Sequence, residues 1–351
     1  MNTAHYFSDD YPQARQRFIA AAATAGAALD RLNLDAWGPQ RETLSIDIAW
    51  LGGASPRRVV LHCSGVHGVE GFAGSAIQLQ ALARPPALGP DTTLVLVHVL
   101  NPYGMAWLRR TNETNVDLNR NFPTPGQRWT GTPEVYRLLN PLLNPPSAPA
   151  WDGFLPRILG PILRYGLSTV RQEVAVGQYD YPQGLFYGGK TLQQGPCRFL
   201  SWLTEHLNGV EVALAIDVHT GLGPWGLESL YTEGESDARL KALLGARRFV
   251  EMPYENQGGL CTALPTALPH AQVDALTQEF GTYSSLRVLH ALREENRWHH
   301  YGNGALTHPS KRHLLGMFCP SSPAWQAAIL EQGGSLLEQA VSALNRLSCE
   351  G

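Results

Sequence analysis

The segment 57-RRVVLHCSGVHGVEG-71 leads from an apolar run into a turn that is rich in glycine. The run, Val59 to Leu61, is typical of a buried strand, and an imidazole (His67) and a carboxylate (Glu70) follow it. Both side chains are costly to bury without a partner. The glycines of the turn indicate a tightly bent backbone. We therefore expect the two side chains to converge on one point at the end of a strand.

Segments with strand and helix patterns alternate along the chain on both sides of this turn. Alternating strands and helices build a wound, largely parallel sheet that is covered on both faces. The sequence therefore predicts a three-layer α/β/α fold with a central, mostly parallel mixed sheet. The predicted strands are residues 44–52, 57–65, 92–100, 212–221 and 273–282, and the predicted helices include residues 74–83 and 325–347.

An alanine-rich segment near the beginning, residues 18–29, has the length of the apolar part of a signal peptide. The acidic and aromatic residues that precede it are not typical of a signal peptide, and alanine is a weak residue for that purpose. We therefore predict an amphipathic helix, which Leu29, Leu32 and Leu34 continue.

Residues 123–187 differ from the rest of the chain because prolines and aromatic residues crowd them. This stretch is too apolar for a disordered linker. We expect a packed excursion beside the strand ends rather than a second domain, so that residues 1–351 form a single domain.

Composition excludes several classes of partner. The chain has 351 residues, 44% of them hydrophobic, and a net charge of −3, which gives no electrostatic reason to expect nucleic acid or a membrane as partner. The five cysteines are scattered without a CxxC pair, which favours a reducing compartment over a disulfide scaffold or a thiolate zinc site. No run reaches the ~20 apolar residues that span a bilayer. We expect a cytoplasmic protein.

A distant histidine completes a possible metal site. Catalytic zinc takes three protein ligands, for which two histidines and one carboxylate are a standard set, and keeps one position open. His67 and Glu70 would be the local pair, and His219 in 216-IDVHTG-221 the third ligand. No HExxH motif occurs, so Glu70 would be a ligand and the general base would come from elsewhere. The alternative is a hydrogen-bonded turn, with His219 capping a strand.

The loop 101-NPYGMAWLRRTNETNVDLNRNF-122 concentrates arginine, aspartate and an Asn-Arg pair after a buried strand. A guanidinium binds a carboxylate through two parallel hydrogen bonds, and another can stabilise an oxyanion. An aspartate can accept the second N–H of a metal-bound histidine. A solvated loop with salt bridges would not need these groups together with a metal-like turn, so the loop favours a site.

Three motifs in this order, HGVEG, NPYG…RRTN…VDLNRNF and DVHTG, resemble the zinc carboxypeptidase superfamily, which includes succinylglutamate desuccinylase and aspartoacylase. Within it, the chain is most similar to a little-characterised bacterial branch described as a domain of unknown function. The similarity runs from YFSDDY, residues 6–11, to the C-terminal helix. It implies a carboxypeptidase-like fold, one Zn²⁺ ion and a peptide or N-acyl amino acid as substrate.

The resemblance also implies a role for each residue of the metal site. It makes His67, Glu70 and His219 the zinc ligands, and Asp117 the residue that orients His67. Asp217 shares a strand face with His219, so we interpret it as a supporting residue behind that ligand, or else as ordinary polar pairing in the core.

The remaining implied roles concern substrate and catalysis. Arg110, in preference to Arg109, would polarise the scissile carbonyl, while Asn119 and Arg120, with Arg109 as a further candidate, would bind the substrate. The superfamily uses a glutamate on a late strand as general base. Glu279 in the apolar run LTQEFGT has that order, and its alternative is a buried ion pair.

Several alternatives stay open. Carboxypeptidases use a tyrosine between the third ligand and the base, and Tyr231 and Tyr254 both lie in that interval. The segment 184-GLFYGGKT-191 matches a phosphate-binding loop, but neither a buried strand before it nor a helix directly after it is predicted. We expect a carboxypeptidase-like amide hydrolase. An N-acyl amino acid deacylase and, more remotely, a non-catalytic metal- or ligand-binding protein are the alternatives.

Overall fold

The computed structural model describes residues 3–124, 126, 129–232, 236–245, 247–252, 254 and 257–347. The strands are β1 (Ala28–Trp37), β2 (Thr43–Leu51), β3 (Arg58–Ser64), β4 (Thr92–His98), β5 (Val212–Trp225), β6 (Glu228–Thr232) and β7 (Gln272–Gly281). The α-helices of the described residues are α1 (Tyr11–Thr24), α2 (Gly71–Ala83), α3 (Pro102–Ala106), α4 (Glu134–Leu143), α5 (Phe154–Tyr165), α6 (Leu167–Ala175), α7 (Gln194–His206), α8 (Ser236–Leu244), α9 (Leu260–Ala267), α10 (Ser285–Tyr301), α11 (Pro309–Phe318) and α12 (Pro323–Arg346). None of these helices combines the length and the apolar character needed to cross a bilayer.

The seven strands form one mixed sheet in the order β1-β2-β4-β3-β5-β7-β6. The four central strands, β4, β3, β5 and β7, are parallel, and the remaining pairs are antiparallel. All five predicted strands are present in this sheet, and the mostly parallel mixed sheet expected from the sequence is confirmed.

Each central strand contributes to two hydrophobic cores because successive side chains point to opposite faces. On one face, Val60, Leu94 and Ile216 pack with residues of α1, α2, α8 and α12. On the other face, Leu61 and Val95 pack with residues of α7 and α9. The central strands therefore read as continuous apolar runs, as buried parallel strands do.

The first predicted helix ends earlier than expected. α1 ends at Thr24, Gly26 adopts φ +72°, and the leucines expected to continue the helix lie in β1, so that expectation was wrong. β1 is an edge strand that packs on one face only, and Asp30 interrupts its apolar alternation. The Asp30 carboxylate accepts hydrogen bonds from the indole N–H groups of Trp50 (2.9 Å) and Trp202 (3.0 Å). A polar residue on the packed face thus concealed the strand pattern.

Two glycines bring the turn after β3 into position. Gly65 has φ +64°, a left-handed conformation that favours glycine. A Cβ atom at Gly68 would lie 2.1 Å from the carbonyl carbon of Gly104, so only glycine permits this close approach of the turn to α3. The N–H groups of Gly68 and Val69 donate to the carbonyls of Arg110 (3.1 Å) and Arg109 (2.8 Å). The turn is therefore tied by backbone bonds to the arginine-containing loop.

Candidate metal centre

The three predicted metal ligands meet at the carboxyl ends of β3 and β5. His67, Glu70 and His219 each offer one donor atom, and these atoms lie within 4.8 Å of one another. His67 Nδ1 is 2.9 Å from Glu70 Oε1, and His219 Nδ1 is 3.2 Å from Glu70 Oε2. All three side chains are buried. The structure thus brings together side chains that are far apart in the sequence.

A carboxylate orients each imidazole. His67 Nε2 is 3.0 Å from Asp117 Oδ1, and His219 Nε2 is 2.8 Å from Asp217 Oδ2. Because an ionised carboxylate only accepts, each ring donates its Nε2–H to the aspartate behind it, so that with a cation bound the Nδ1 lone pair of each ring would be directed towards that cation. His67 Nδ1 is buried, and although it lies 2.9 Å from Glu70 Oε1 the two atoms do not have the geometry of a hydrogen bond. Two imidazole lone pairs and one carboxylate are a donor set that suits zinc.

Negative charge dominates the centre. The carboxylates of Glu70, Asp117, Asp217 and Glu279 are all buried. The Arg110 guanidinium donates from Nε to Asp117 Oδ2 at 2.9 Å, and its Nη1 is 3.4 Å from Glu70 Oε1. Although burial acts to raise it, the pKa of Asp117 is held well below its usual range by Arg110. Buried charges need compensation, so the carboxylates of Glu70, Asp117 and Asp217 beside this guanidinium favour a further cation.

Glu279 lies beside the predicted ligands. It is the register partner of His219 across β5 and β7, so both side chains project from the same face of the sheet. Its Oε1 accepts a hydrogen bond from the Leu222 N–H at 2.8 Å. Burial raises the pKa of Glu279 to about 8, while His219 acts to lower it. A carboxyl group with a pKa in this range can both take up and return a proton near neutral pH.

Arg110 and Asn119 both line the cavity that begins at this centre. The Arg110 guanidinium lies over the ring of Phe186, 5.2 Å from its centroid. Asn119 Oδ1 accepts a hydrogen bond from the Leu260 N–H at 3.0 Å, which fixes the side-chain amide and leaves its NH₂ group available to a substrate oxygen.

Two of the predicted substrate-binding arginines are not brought to this cavity. Arg109 is 1% exposed, and its guanidinium donates to Glu295 Oε1 (3.0 Å) and to the side-chain oxygens of Asn115 and Asn296. Arg120 is also 1% exposed, and its guanidinium donates to the backbone carbonyls of Ala175 and Asn119. Neither residue lines the cavity, and most of their donors are taken by acceptors within the protein, although Arg109 Nη1 has none among the described residues.

The cavity has a volume of about 1270 Å³, its open mouth included. We call the strand-end residues His67, Glu70, His219 and Glu279 its floor, and helices α5, α6 and α10 its roof. The roof is mainly aliphatic. Its lining residues include Ile158 and Ile162 of α5, Val170 and Val174 of α6, and Leu289 and Leu292 of α10. Two of the three roof helices thus come from the excursion predicted at residues 123–187.

The structure distinguishes between the two candidate tyrosines and tests the segment that matches a phosphate-binding loop. Tyr254 lines the cavity, whereas Tyr231 is buried on β6 and is not among the lining residues. In the segment that matches a phosphate-binding loop, Phe186 forms part of the cavity wall and Lys190 is exposed. No strand leads into this segment, and α7 begins only at Gln194, so the structure gives no support to nucleotide binding.

Sequence reasoning missed one charged residue of the cavity, Arg171 on α6. It lies in the proline-rich excursion, outside every motif. The sequence feature that could have indicated Arg171 is a single charge on an otherwise apolar helix face. That feature can be recognised only once α6 has been identified as a helix.

Comparison with solved structures shows the same fold in distant proteins. Bovine thrombin-activatable fibrinolysis inhibitor, in complex with tick carboxypeptidase inhibitor, is 9% identical with a TM-score of 0.50, covering 98% of this chain and 100% of that chain. A second structure of thrombin-activatable fibrinolysis inhibitor is 8% identical with a TM-score of 0.53, covering 98% and 76%. The predicted carboxypeptidase-like α/β/α fold is confirmed.

A comparison with curated protein sequences found no match. The family model described as "Protein of unknown function (DUF2817)" matches residues 7–332, which is most of the chain. The resemblance to a branch of unknown function, predicted from the three motifs, is therefore confirmed, and the chain belongs to the DUF2817 family.

Proposed function

We propose that this protein is a zinc-dependent hydrolase that cleaves an amide bond next to a free carboxylate, as a carboxypeptidase does. The observation that carries the proposal is the convergence of His67, Glu70 and His219 with Glu279 alongside on the neighbouring strand. Three ligands that leave one position open are typical of catalytic rather than structural zinc. A second carboxylate beside them supplies the base that the site needs.

Each residue of the site has a separate role in the proposed hydrolysis. A zinc ion bound here would lower the pKa of a water molecule and polarise the carbonyl oxygen of the substrate. Glu279 accepts the proton of the attacking water and returns it to the leaving amine, for which its raised pKa suits it. Arg110 stabilises the negative charge that develops on the carbonyl oxygen. The Asn119 amide donates to a substrate oxygen.

A second candidate function is the deacylation of an N-acyl amino acid. The observation that favours it is the aliphatic roof, because an acyl chain is the part of such a substrate that needs an apolar surface. Both functions use the same floor and differ in which side of the amide bond lies under the roof.

The test replaces Glu279 with glutamine and measures zinc content together with turnover on two panels, one of N-blocked dipeptides and one of N-acyl amino acids. We expect about one zinc ion per chain in both proteins and a fall in kcat of about 10²- to 10⁴-fold in the variant, the usual contribution of a general base. Glu331→Gln on α12 is the matched control, because Glu331 is exposed and outside the site.

Normal turnover of Glu279→Gln would show that another group is the base. Hydrolysis confined to the N-acyl panel would select the deacylase. A wild-type protein that binds zinc tightly but hydrolyses neither panel would select the non-catalytic alternative.

A further inference from the structure

The side of α6 that faces the cavity carries one charged residue. Leu167, Val170, Arg171, Val174 and Ala175 line the cavity. Their spacing of three and four residues places them on one face of the helix. Four of the five are apolar, as expected for a helix face that covers a hydrophobic cavity. Arg171 is the exception, so its charge needs a partner.

No acidic side chain pairs with Arg171 in the part of the chain that the structure describes. Its Nη2 is 3.4 Å from Ser285 Oγ, a long hydrogen bond, and its Nε is buried without any acceptor. A buried donor without an acceptor is unfavourable. A guanidinium presents its donors in a planar fork that matches a carboxylate. The unused donors therefore suit a carboxylate of the substrate.

Arg120 holds the helix that carries Arg171. Arg120 Nε and Nη2 both donate to the carbonyl of Ala175, at 3.0 and 2.6 Å. Ala175 is the last residue of α6, so its carbonyl has no partner within the helix, and a cation at this end is favourable. Arg171 lies one helical turn earlier. Arg120 is thus a positioning residue, and Arg171 is the arginine that α6 brings to the roof of the cavity.

The roof around Arg171 is suited to an aliphatic chain. Its side chains are mostly branched aliphatic residues, which offer contact area but few hydrogen bonds. A substrate with only short polar groups would leave this surface in contact with water. A substrate that carries both a carboxylate and a chain of several methylene groups would use both features of the roof.

We propose that the substrate is an amphiphilic amide whose carboxylate binds to Arg171 and whose aliphatic chain lies against the roof formed by α5, α6 and α10. This proposal rests on the amide hydrolase activity proposed above. The chain can belong to the acyl group, as in a long-chain N-acyl amino acid, or to the side chain of a C-terminal residue. The two sources share this chemistry, and the experiment separates them.

The first test compares N-octanoyl-leucine with N-octanoyl-leucinamide, which lacks the carboxylate. In Arg171→Gln we expect kcat/KM for the acid to fall about 10- to 100-fold, through KM, because a charge-assisted interaction is lost. The value for the leucinamide should stay within twofold. Arg171→Lys should recover part of the loss. Arg164→Gln, an exposed arginine on α5, is the matched control and should change neither value.

Equal losses for the two substrates would mean a structural role for Arg171, and no loss for the acid would overturn the carboxylate assignment. Calorimetric titration of N-octanoyl-leucine into Glu279→Gln, with and without Arg171→Gln, measures the same contact without turnover. A 10- to 100-fold rise in Kd supports the proposal even if the wild-type protein hydrolyses nothing, and an unchanged Kd overturns it.

The second test varies chain length on each side of the amide bond. One series runs from N-acetylglycine to N-octanoylglycine, and the other from N-acetylglycine to N-acetylnorleucine. We expect kcat/KM to rise about fourfold per methylene in one series, because that factor corresponds to the free energy gained when one methylene group is buried. A rise in the acyl series identifies the acyl chain as the occupant, and a rise in the other identifies the side chain. A flat response in both overturns the proposal.

Two adjacent residues of α5 provide a matched pair for this slope. Ile162 lines the cavity, whereas Leu163 is 86% exposed. Ile162→Ser should reduce the dependence on chain length, and Leu163→Ser should leave it unchanged. If Leu163→Ser reduced the dependence on chain length and Ile162→Ser did not, the aliphatic chain would not bind against the roof.

Discussion

The floor and the roof of the cavity differ in the forces that hold them. On the floor, imidazoles and carboxylates lie 2.8–3.2 Å from one another, and they are held by strands whose register the sheet fixes and by the turn that follows β3. The roof consists of helices packed through aliphatic side chains, and Arg171 is the one arginine of these helices among the residues that line the cavity. Directional bonds define the positions of reacting groups, whereas apolar area defines which molecules fit. Changes on the floor should therefore affect turnover, and changes in the roof should affect substrate range and stability.

The largest effect is expected for a floor ligand. His219→Ala removes one of the three donors and leaves the carboxylates around it without their imidazole partner. We expect zinc affinity to fall by more than the roughly 10- to 100-fold that the loss of an outer hydrogen-bond partner costs, and turnover to fall with it. Zinc content after dialysis and kcat measure this. Full activity with stoichiometric zinc would remove His219 from the metal site.

Arg110→Ala tests the positive charge beside the floor. If Arg110 stabilises the developing oxyanion, kcat should fall about 10²- to 10³-fold with a much smaller change in KM. Steady-state kinetics on the preferred substrate measures both constants. A change confined to KM would instead make Arg110 a substrate-binding residue.

Asp217→Asn should have a smaller effect because Asp217 acts through His219. Its Oδ2 is 2.8 Å from His219 Nε2, and an asparagine can still accept the proton there but lacks the charge. We expect zinc affinity to fall about 10- to 100-fold, measured by competition with a chelator. Asp35→Asn on β1, where the carboxylate is exposed, is the control. An unchanged zinc affinity would mean that Asp217 serves only as a polar partner within the core.

The smallest effect on the metal site is expected from the roof. Ile158 is 1% exposed and packs in the core beneath α5, whereas the adjacent Leu159 is 50% exposed. Ile158→Ala should lower the free energy of unfolding by about 2–5 kcal/mol. Leu159→Ala should change it by less than about 0.5 kcal/mol, and both variants should bind zinc normally. Denaturant titration and zinc analysis measure these quantities. Loss of zinc from Ile158→Ala would show that floor and roof are not independent.

The floor could be predicted from the sequence because its residues follow or lie within strands whose apolar runs are easily recognised. His67 and Glu70 stand directly after β3, and His219 and Glu279 are embedded in β5 and β7. The roof could not be predicted in the same way. Proline usually interrupts a helix, yet Pro141 and Pro161 lie inside α4 and α5. Packing of the excursion against the rest of the molecule outweighs that local preference.

The predicted role of Arg120 shows a different difficulty. The Asp-x-Asn-Arg segment places Asp117 against His67 and Asn119 at the cavity, as expected. Arg120, however, donates to the end of α6, a helix that the sequence did not predict. A side-chain partner on an unrecognised element cannot be anticipated from spacing along the chain. For the same reason Arg171, on that helix, was found only in the structure.

The backbone bonds from Gly68 and Val69 to the carbonyls of Arg110 and Arg109 connect the turn after β3 directly to the arginine loop. The separation of these two segments in space is set by those bonds and not by the number of residues between them. The connection from α2 to β4, residues 84–91, contains no fully buried residue and can therefore gain or lose residues while the relative placement of Glu70 and Arg110 is preserved. Length variation among related chains should accumulate in that connection.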